Sequence, residues 1–390
     1  MARYAWLGPL RRSVREGFFK ILAQALQTDD GRRIIADALK GTAPIKDLVM
    51  PFSQPPYRNV GRAPVMEPKY PPIFITGRFR SGSTLLWNIF RNIPGCTSFY
   101  EPLNERRWFD RAARGDKVDQ THVGVTDYWS EYDGLFHISR WYREEWTDHR
   151  LHLDDQAWEP ELFAYLQAII AAARGRAVIQ ENRIDFRLPW LRRHFPNARF
   201  IHVYRHPRDQ WCSALIDPKN FPSSGTMRQF THCDHFYLLR WARDLSYQFP
   251  FLDPRAAEHP YDLFYLIWKL SYLFGRVYCD ESFSLEKLCV QPDEELPRLM
   301  EASKIDDYDL HALKSLIHPQ ESRKWTKYAD HSWFAEREVR CEAVLAQYLG
   351  DGGFSLPSVD EKETRVNLEA SNVYANSERS GDDAESRIHV

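Results

Sequence analysis

The sequence predicts an α/β fold: a parallel β-sheet flanked by helices, followed by a largely helical C-terminal half. Three stretches lead there. "PPIFITGRFRSGSTLLWNIFR" sets a short apolar run against a glycine-rich turn and then a helical pattern. "RGRAVIQENRIDFRLPWLRRHF" and "ARFIHVYRHPRDQWCSAL" repeat the order of strand, turn and helix. Strands that alternate with helices pair in parallel, because each crossover helix returns the chain to the same end of the sheet.

Taken in order, residues 1–66 read as a helical extension and a proline-rich linker. Arg11 to Leu26 places Val14, Phe18, Ile21, Leu22 and Ala25 at helical spacing, with arginines on the other face. Packing on the domain or on a partner subunit accounts for this pattern, and contact with a membrane surface is the alternative. Being arginine-rich and acid-poor, this end also fits a transit peptide. Pro44 to Pro72 reads as extended chain.

The main domain is set at residues 67–355. Ile73 to Thr76 is a buried strand ending at Gly77, and Ser83 to Arg91 is a helix opening from the turn. Glu159 to Ala173 is a helix stopped by Gly175, Ala177 to Gln180 a strand, and Leu188 to Phe195 a helix ended by Pro196. Arg199 to Tyr204 is a strand, and Pro207 suits the first turn of the next helix. Phe230 to Val277 is mostly helical, and Ser282 to Leu285 adds a strand. Residues 356–390 are too polar and charged to bury a core and read as a disordered tail.

Composition narrows the class. A hydrophobic fraction of 43% sustains a core, and a net charge of −2 gives no global attraction to nucleic acid or anionic membrane. Six cysteines without a CxxC pair argue against a zinc ribbon or disulfide framework and fit a reducing compartment. Met1 to Leu10 lacks the apolar core of a secretory signal. Tyr261 to Cys279, the most apolar long stretch, carries Asp262, Lys269 and Arg276 and reads as a buried helix, not a membrane span. The expectation is a soluble cytoplasmic protein. Its 13 tryptophans and 19 tyrosines point to an aromatic core first and an aromatic-lined pocket second.

The turn after the first strand carries the chemistry. A nucleotide-binding P-loop reads GxxxxGK[ST]; here Gly77 and Gly82 keep the spacing, but Ser83 stands where the lysine belongs. That lysine reaches the β- and γ-phosphates of a triphosphate, so its absence argues against triphosphate hydrolysis. Arg78 and Arg80 place cations in the P-loop-like turn instead, and Ser81, Ser83 and Thr84 add hydroxyls. Such a loop suits a single phosphate with an attached group, held without an obligatory metal. A second basic element follows the strand Arg199 to Tyr204. Arg205 and Arg208 stand at the turn, and Ser213, eight residues past Arg205, lies about two helical turns along. Two arginines at a helix start are unexpected unless an anion is bound there.

"RFRSGSTLL" resembles the 5′-phosphosulfate loop of the sulfotransferases, and "RFIHVYRHPRDQWCS" is similar to their 3′-phosphate motif. Weaker likenesses lie in "SLEKLCVQPDEELPRLM" and "SRKW"; together they span about Pro71 to Gly350. The resemblance is closer to the tyrosylprotein and carbohydrate branches than to the cytosolic small-molecule branch. It implies transfer of a sulfuryl group from 3′-phosphoadenosine 5′-phosphosulfate (PAPS) to an acceptor hydroxyl or amine, without a metal. By the same resemblance Arg80 serves the sulfonate and leaving phosphate. Ser81, Gly82, Ser83 and Thr84 bind the 5′-phosphate, Arg205 and Ser213 the 3′-phosphate, and Lys324 closes over the cofactor.

Glu101 in "SFYEPLNE" stands twenty-one residues after Arg80; that spacing resembles the tyrosylprotein sulfotransferases, and the resemblance makes Glu101 the expected base. A helix-capping or salt-bridged glutamate before Pro102 is the plainer reading of the same residue. Glu105, His122, His137 and His202 are the competing bases, and the aromatic stretch holding His122 and His137 could form a lid over the acceptor. One departure stands out: "QENRIDF" replaces the lysine-threonine-proline type of string common before the second motif. Asn182 and Arg183 lie there, so either Arg183 supplies the positive charge or this wall has changed with the acceptor. A saccharide, lipid, peptide or small molecule all fit as acceptor. A nucleotide or small-molecule kinase, or a non-catalytic relative that kept the fold for binding, are the rival readings.

Overall fold

The computed structural model describes residues 70–318 and 323–350, all within the unit Met66–Val390. The expected basic helix over Arg11 to Leu26, nearly all of the proline-rich linker and the tail 356–390 lie outside the described residues.

Five strands form one sheet: β1 (Ile73–Thr76), β2 (Cys96–Tyr100), β3 (Arg176–Glu181), β4 (Arg199–Tyr204) and β5 (Glu281–Ser284), in the order β2-β3-β1-β4-β5. Every neighbouring pair is parallel. The longer helices are α1 (Ser83–Arg91), α2 (Pro160–Ala172), α3 (Leu188–His194), α4 (Pro207–Ala214), α5 (Leu238–Leu245), α6 (Pro260–Tyr278), α7 (Leu285–Val290), α8 (Pro292–Ser303) and α9 (His331–Gly350). The α/β expectation is met, including the helix-rich region after β4. The chain leaves β1 toward β3 and β2 on one side and toward β4 and β5 on the other. In parallel sheets such a reversal opens a crevice at the carboxyl ends of the strands.

Strand side chains alternate between two cores. Ile73, Ile75, Val178, Ile201, Val203 and Phe283 pack with Leu86, Phe90, Leu296 and Leu299 of α1 and α8. Phe74, Phe99, Ile179 and Phe200 face the aromatic core with Trp190, Ile267 and Phe274 of α3 and α6. The abundant aromatics are therefore mainly packing groups. Helix α6 is the apolar stretch expected to be a buried helix, and no described helix is long and apolar enough to cross a membrane. His259 caps it: its Nδ1 accepts from the Tyr261 N–H at 3.0 Å, while Asp262 accepts the His259 N–H. All six cysteines are free.

Two glycines fix the turn after β1. A Cβ on Gly77 would lie 2.4 Å from the Val203 carbonyl oxygen, and one on Gly82 2.5 Å from Leu285 Cδ1. Gly82, at φ 95°, occupies the left-handed region and serves as the N-cap of α1. Between β2 and α2 the chain forms turns and three short 3₁₀ helices, Ser130–Tyr132, Phe136–Arg140 and Glu144–Thr147. The first part of this segment is clasped to α1. Arg91 Nε donates to Glu131 Oε1 at 2.7 Å, and its Nη atoms bond the Asp127 carbonyl at 2.8 Å and Oδ1 at 2.9 Å. Burial works against the Asp127 carboxylate, but hydrogen bonds from Ser130 and Arg91 hold it down to about 2.

Candidate active site

A cavity of about 510 Å³ opens over the carboxyl ends of the strands. Every strand delivers a residue to it. Arg80, Gly82 and Thr84 follow β1; Glu101 follows β2; Asn182 and Arg183 follow β3; Arg205 follows β4; Leu285 follows β5. A side chain carried just past a strand end is fixed by the sheet's backbone pairing, so the site rests on the most rigid part of the molecule.

The two basic motifs meet there. Arg80, at φ 68°, donates from Nε to Ser213 Oγ at 3.0 Å, across 133 positions of sequence. Its Nη1 also reaches Asp119 Oδ2 and Thr121 Oγ1, each at 3.3 Å. In the first turn of α1 the Leu85 and Leu86 N–H groups already return to the Gly82 carbonyl. Helix geometry leaves the amides of Ser83 and Thr84 with no intrahelical acceptor, and the helix end carries partial positive charge. Arg205 lines the cavity at 7% exposure. Its guanidinium makes no salt bridge or hydrogen bond to any described residue. Burial lowers its proton affinity, which Asp209 and Glu286 offset in part. A buried cation in that position is a receiver for an anion.

Three expected residues stand elsewhere. Ser81 is fully buried with its side chain against Gly77, away from the cavity, and its N–H is spent on the Arg78 carbonyl at 3.1 Å. Arg208 does not fork with Arg205 over the cavity; it forms a two-pronged pair with Glu338 at 2.9 and 2.8 Å, with Trp325 stacked beneath at 4.8 Å. Lys324 lies exposed at the start of the 3₁₀ helix Lys324–Lys327 and is not among the lining residues. From the expected loop set, Arg80, Gly82, Ser83 and Thr84 line the cavity, as do Arg205 and Ser213.

Glu101 is 5% exposed, at φ 38°, with its N–H on the Gln180 carbonyl at 2.8 Å. Three side-chain donors hold its carboxylate. Asn182 Nδ2 reaches Oε1 at 2.6 Å; Asn104 Nδ2 and Arg183 Nη1 reach Oε2 at 2.6 and 3.1 Å. Arg183 also meets Glu181 and Glu105 at 3.3 and 2.9 Å. Burial alone would lower its affinity for the proton, but Glu181, Glu101 and Glu105 raise it above the usual arginine value. The salt-bridged reading of Glu101 and the cavity-facing reading are therefore both true of the same carboxylate.

Of the competing bases, His202 is buried in β4 against Ser282 Oγ at 3.2 Å. Burial, with Arg276, pushes it down to about 3. His137 sits exposed in the 3₁₀ helix Phe136–Arg140, away from the cavity. Glu105 lines the cavity with one oxygen on the Tyr237 hydroxyl and the other on Arg183. His122 lines it too, with Nδ1 2.5 Å from the Tyr128 hydroxyl and Nε2 3.4 Å from Thr84 Oγ1. Burial lowers its proton affinity, against the pull of Asp119.

The sulfotransferase family model matches residues 71–265, from the strand before the loop into α6. The chain belongs to the sulfotransferase family. Solved structures similar to this sulfotransferase share little sequence with it. A sulfotransferase from Mycobacterium avium is 14% identical, over 84% of this chain and 87% of that one, at a TM-score of 0.39. A sulfotransferase from Alicyclobacillus acidocaldarius is 16% identical, over 70% and 95%, at 0.32. The sulfotransferase domain of the Synechococcus PCC 7002 olefin synthase is 17% identical, over 80% and 96%, at 0.32. No curated protein sequence matches the chain.

Sequence reasoning missed part of this sulfotransferase's site. Asn104 was passed over, although "EPLNE" places it one turn beyond Glu101. Asp119 and Thr121, in the segment between β2 and α2, and the cavity-lining Phe236 and Tyr237 carried no motif. "QENRIDF" was legible as a departure, and the structure gives its meaning: Asn182 and Arg183 both bind Glu101.

Proposed function

We propose that this sulfotransferase uses PAPS as donor and transfers its sulfuryl group to an acceptor hydroxyl, with Glu101 as the base. The observation that carries the reading is Arg205: buried, without a salt bridge or hydrogen bond to any described residue, and lining the same cavity as the hydrogen-bonded pair Ser213 and Arg80. The donor set suits a ligand with two separate anionic groups. Arg205 and Ser213 form one receiver, and Arg80 with the Ser83 and Thr84 amides forms the other.

PAPS brings a sulfuryl group joined to a good leaving group, the 5′-phosphate. The chain's own residues position and neutralise. Arg80 spreads positive charge over the transferring oxygens and the leaving phosphate, where a loose in-line transition state gathers it. The α1 amides fix the 5′-phosphate, and Arg205 with Ser213 fixes the 3′-phosphate. Oε1 of Glu101 accepts one hydrogen bond from Asn182, so a lone pair is left for the acceptor's proton. Trp108, Phe236 and Tyr237 wall the cavity beside Glu105 and suit an acceptor with an apolar or ring face.

Titration with 3′,5′-diphosphoadenosine tests the donor: it should raise the melting temperature, while ATP with magnesium should not. The reverse pattern would sink the reading. Radiolabelled sulfate transfer from PAPS across hydroxylated acceptors then tests activity and acceptor class together.

A further inference from the structure

We infer that Asn182 is a positioning residue that couples the phosphate loop to the base. The inference rests on Glu101 being that base. Asn182 is buried at the end of β3, at 4% exposure. Its Nδ2 donates to Glu101 Oε1 at 2.6 Å, and its Oδ1 accepts from Ser83 Oγ at 2.8 Å and from Gln180 Nε2 at 2.9 Å. The direction of this amide is forced by chemistry. A carboxylate only accepts, so the amide nitrogen must face Glu101, and the oxygen must then take the Ser83 and Gln180 donors.

One rigid amide thus spans two working parts. On one side is the first residue of α1, whose backbone N–H borders the loop; on the other is the carboxylate that takes the proton. The Ser83 hydroxyl proton is committed to Asn182, so a phosphate on the loop meets Ser83 through its backbone N–H. A shift of the loop is carried to Glu101 by a chain of two hydrogen bonds, both buried, where such bonds are stiff and unmade ones costly. Loss of the amide removes the donor that holds Oε1, while Asn104 and Arg183 still act on the other oxygen. Oε1 is then free to turn from the acceptor. Misplacing a reacting group by about an ångström lowers a rate by roughly 100-fold.

The groups that face Glu101 are Arg183 and Glu181 of the β3 end, Glu105 beyond β2, and Tyr100. From the segment after β2 come His122, Tyr128 and Tyr132, and from the cavity lining Tyr237. Arg183 is the only permanent cation among them. An added carboxylate at position 182 therefore opposes Glu101 directly.

Two variants and one control test this. Asn182→Ala should lower kcat by about 10- to 100-fold, while the KM for PAPS and the affinity for 3′,5′-diphosphoadenosine change less than about threefold. Asn182→Asp, of the same shape, should move the acid limb of the kcat/KM–pH profile upward by one unit or more, because two adjacent carboxylates resist joint ionisation. A destabilised fold alone does not shift that limb. Unchanged kcat in Asn182→Ala together with an unmoved limb in Asn182→Asp overturns the inference. So does loss of diphosphoadenosine binding in both variants, which would make Asn182 a part of the loop's own fold. Glu101→Gln separates the two levels. If it transfers sulfate at the wild-type rate, the base reading fails; if it is inactive and the Asn182 variants behave as wild type, only the coupling fails.

Discussion

Arg205 and Arg208 stand three positions apart after the same strand, yet their surroundings give them opposite roles. Arg205 turns its guanidinium to the cavity with no salt bridge or hydrogen bond to any described residue, whereas Arg208 is matched by Glu338 through two hydrogen bonds. Charge-assisted hydrogen bonds contribute about 1.5–3 kcal/mol each. Arg205→Ala should accordingly weaken 3′,5′-diphosphoadenosine binding by roughly 10- to 100-fold in a calorimetric titration, with little change in melting temperature. Arg208→Ala should do the reverse. It strips a partner from a largely buried carboxylate and should lower unfolding stability by roughly 3 kcal/mol, leaving nucleotide affinity within about threefold. Equal affinity for wild type and Arg205→Ala would remove the 3′-phosphate assignment. The sequence could not separate this pair, because Glu338 is 130 positions from Arg208 and on another helix.

At the scale of elements, the segment after β2 works as a strap over the loop. Asp119 and Thr121 touch Arg80, and His122 touches Thr84, while Arg91 clasps the strap at Asp127 and Glu131. Arg91→Met keeps an unbranched apolar stem but removes every one of these clasping bonds, together with the guanidinium that lies 4.8 Å over the Trp87 ring. The expected outcome is a several-fold rise in KM for PAPS, read from initial rates, with a smaller change in kcat; an unaltered KM would show that the strap holds itself in place. The strap also marks the boundary of what sequence could supply. Strands and helices around the loop were legible to within a residue or two, since β1, α1, β4 and α4 are set by local apolar spacing, a left-handed glycine and a proline at a helix start. The loop and Arg205 were legible for the same reason: each lies next to a recognisable element end. Ser81 was misplaced because a loop written as a string does not say which hydroxyl turns inward toward Gly77. The clamp on Glu101 was hidden because Asn182 and Arg183 lie about eighty positions away and meet it only through the β2–β3 pairing.

For the molecule as a whole, two histidines locked neutral in the fold tie stability to pH. His202 lies in the sheet and His259 caps α6; burial pushes each down to about 3, helped by Arg276 and Arg337 respectively. In the unfolded chain both return to about 6.5. Between these values the unfolded state binds the extra protons. The stabilising contribution is therefore complete above about pH 6.5 and is lost progressively as pH falls toward 3. Each unit of difference is worth about 1.4 kcal/mol, so each histidine should cost about 2 kcal/mol between pH 7 and pH 5. For His259 the loss is also structural: Nδ1 must keep a lone pair to accept the Tyr261 N–H, and protonation removes it. Asparagine caps helices well without titrating near neutrality. Urea unfolding at pH 7 and pH 5 should show wild type losing roughly 4 kcal/mol from the two sites and His259→Asn losing about 2 kcal/mol less. If both lose the same amount, His259 is not the acid-sensitive cap. The same experiment bounds the kinetics, because the acid limb assigned to Glu101 can be read only at pH values where the fold still stands. His259→Asn widens that range from the N-cap of α6, outside the cavity lining.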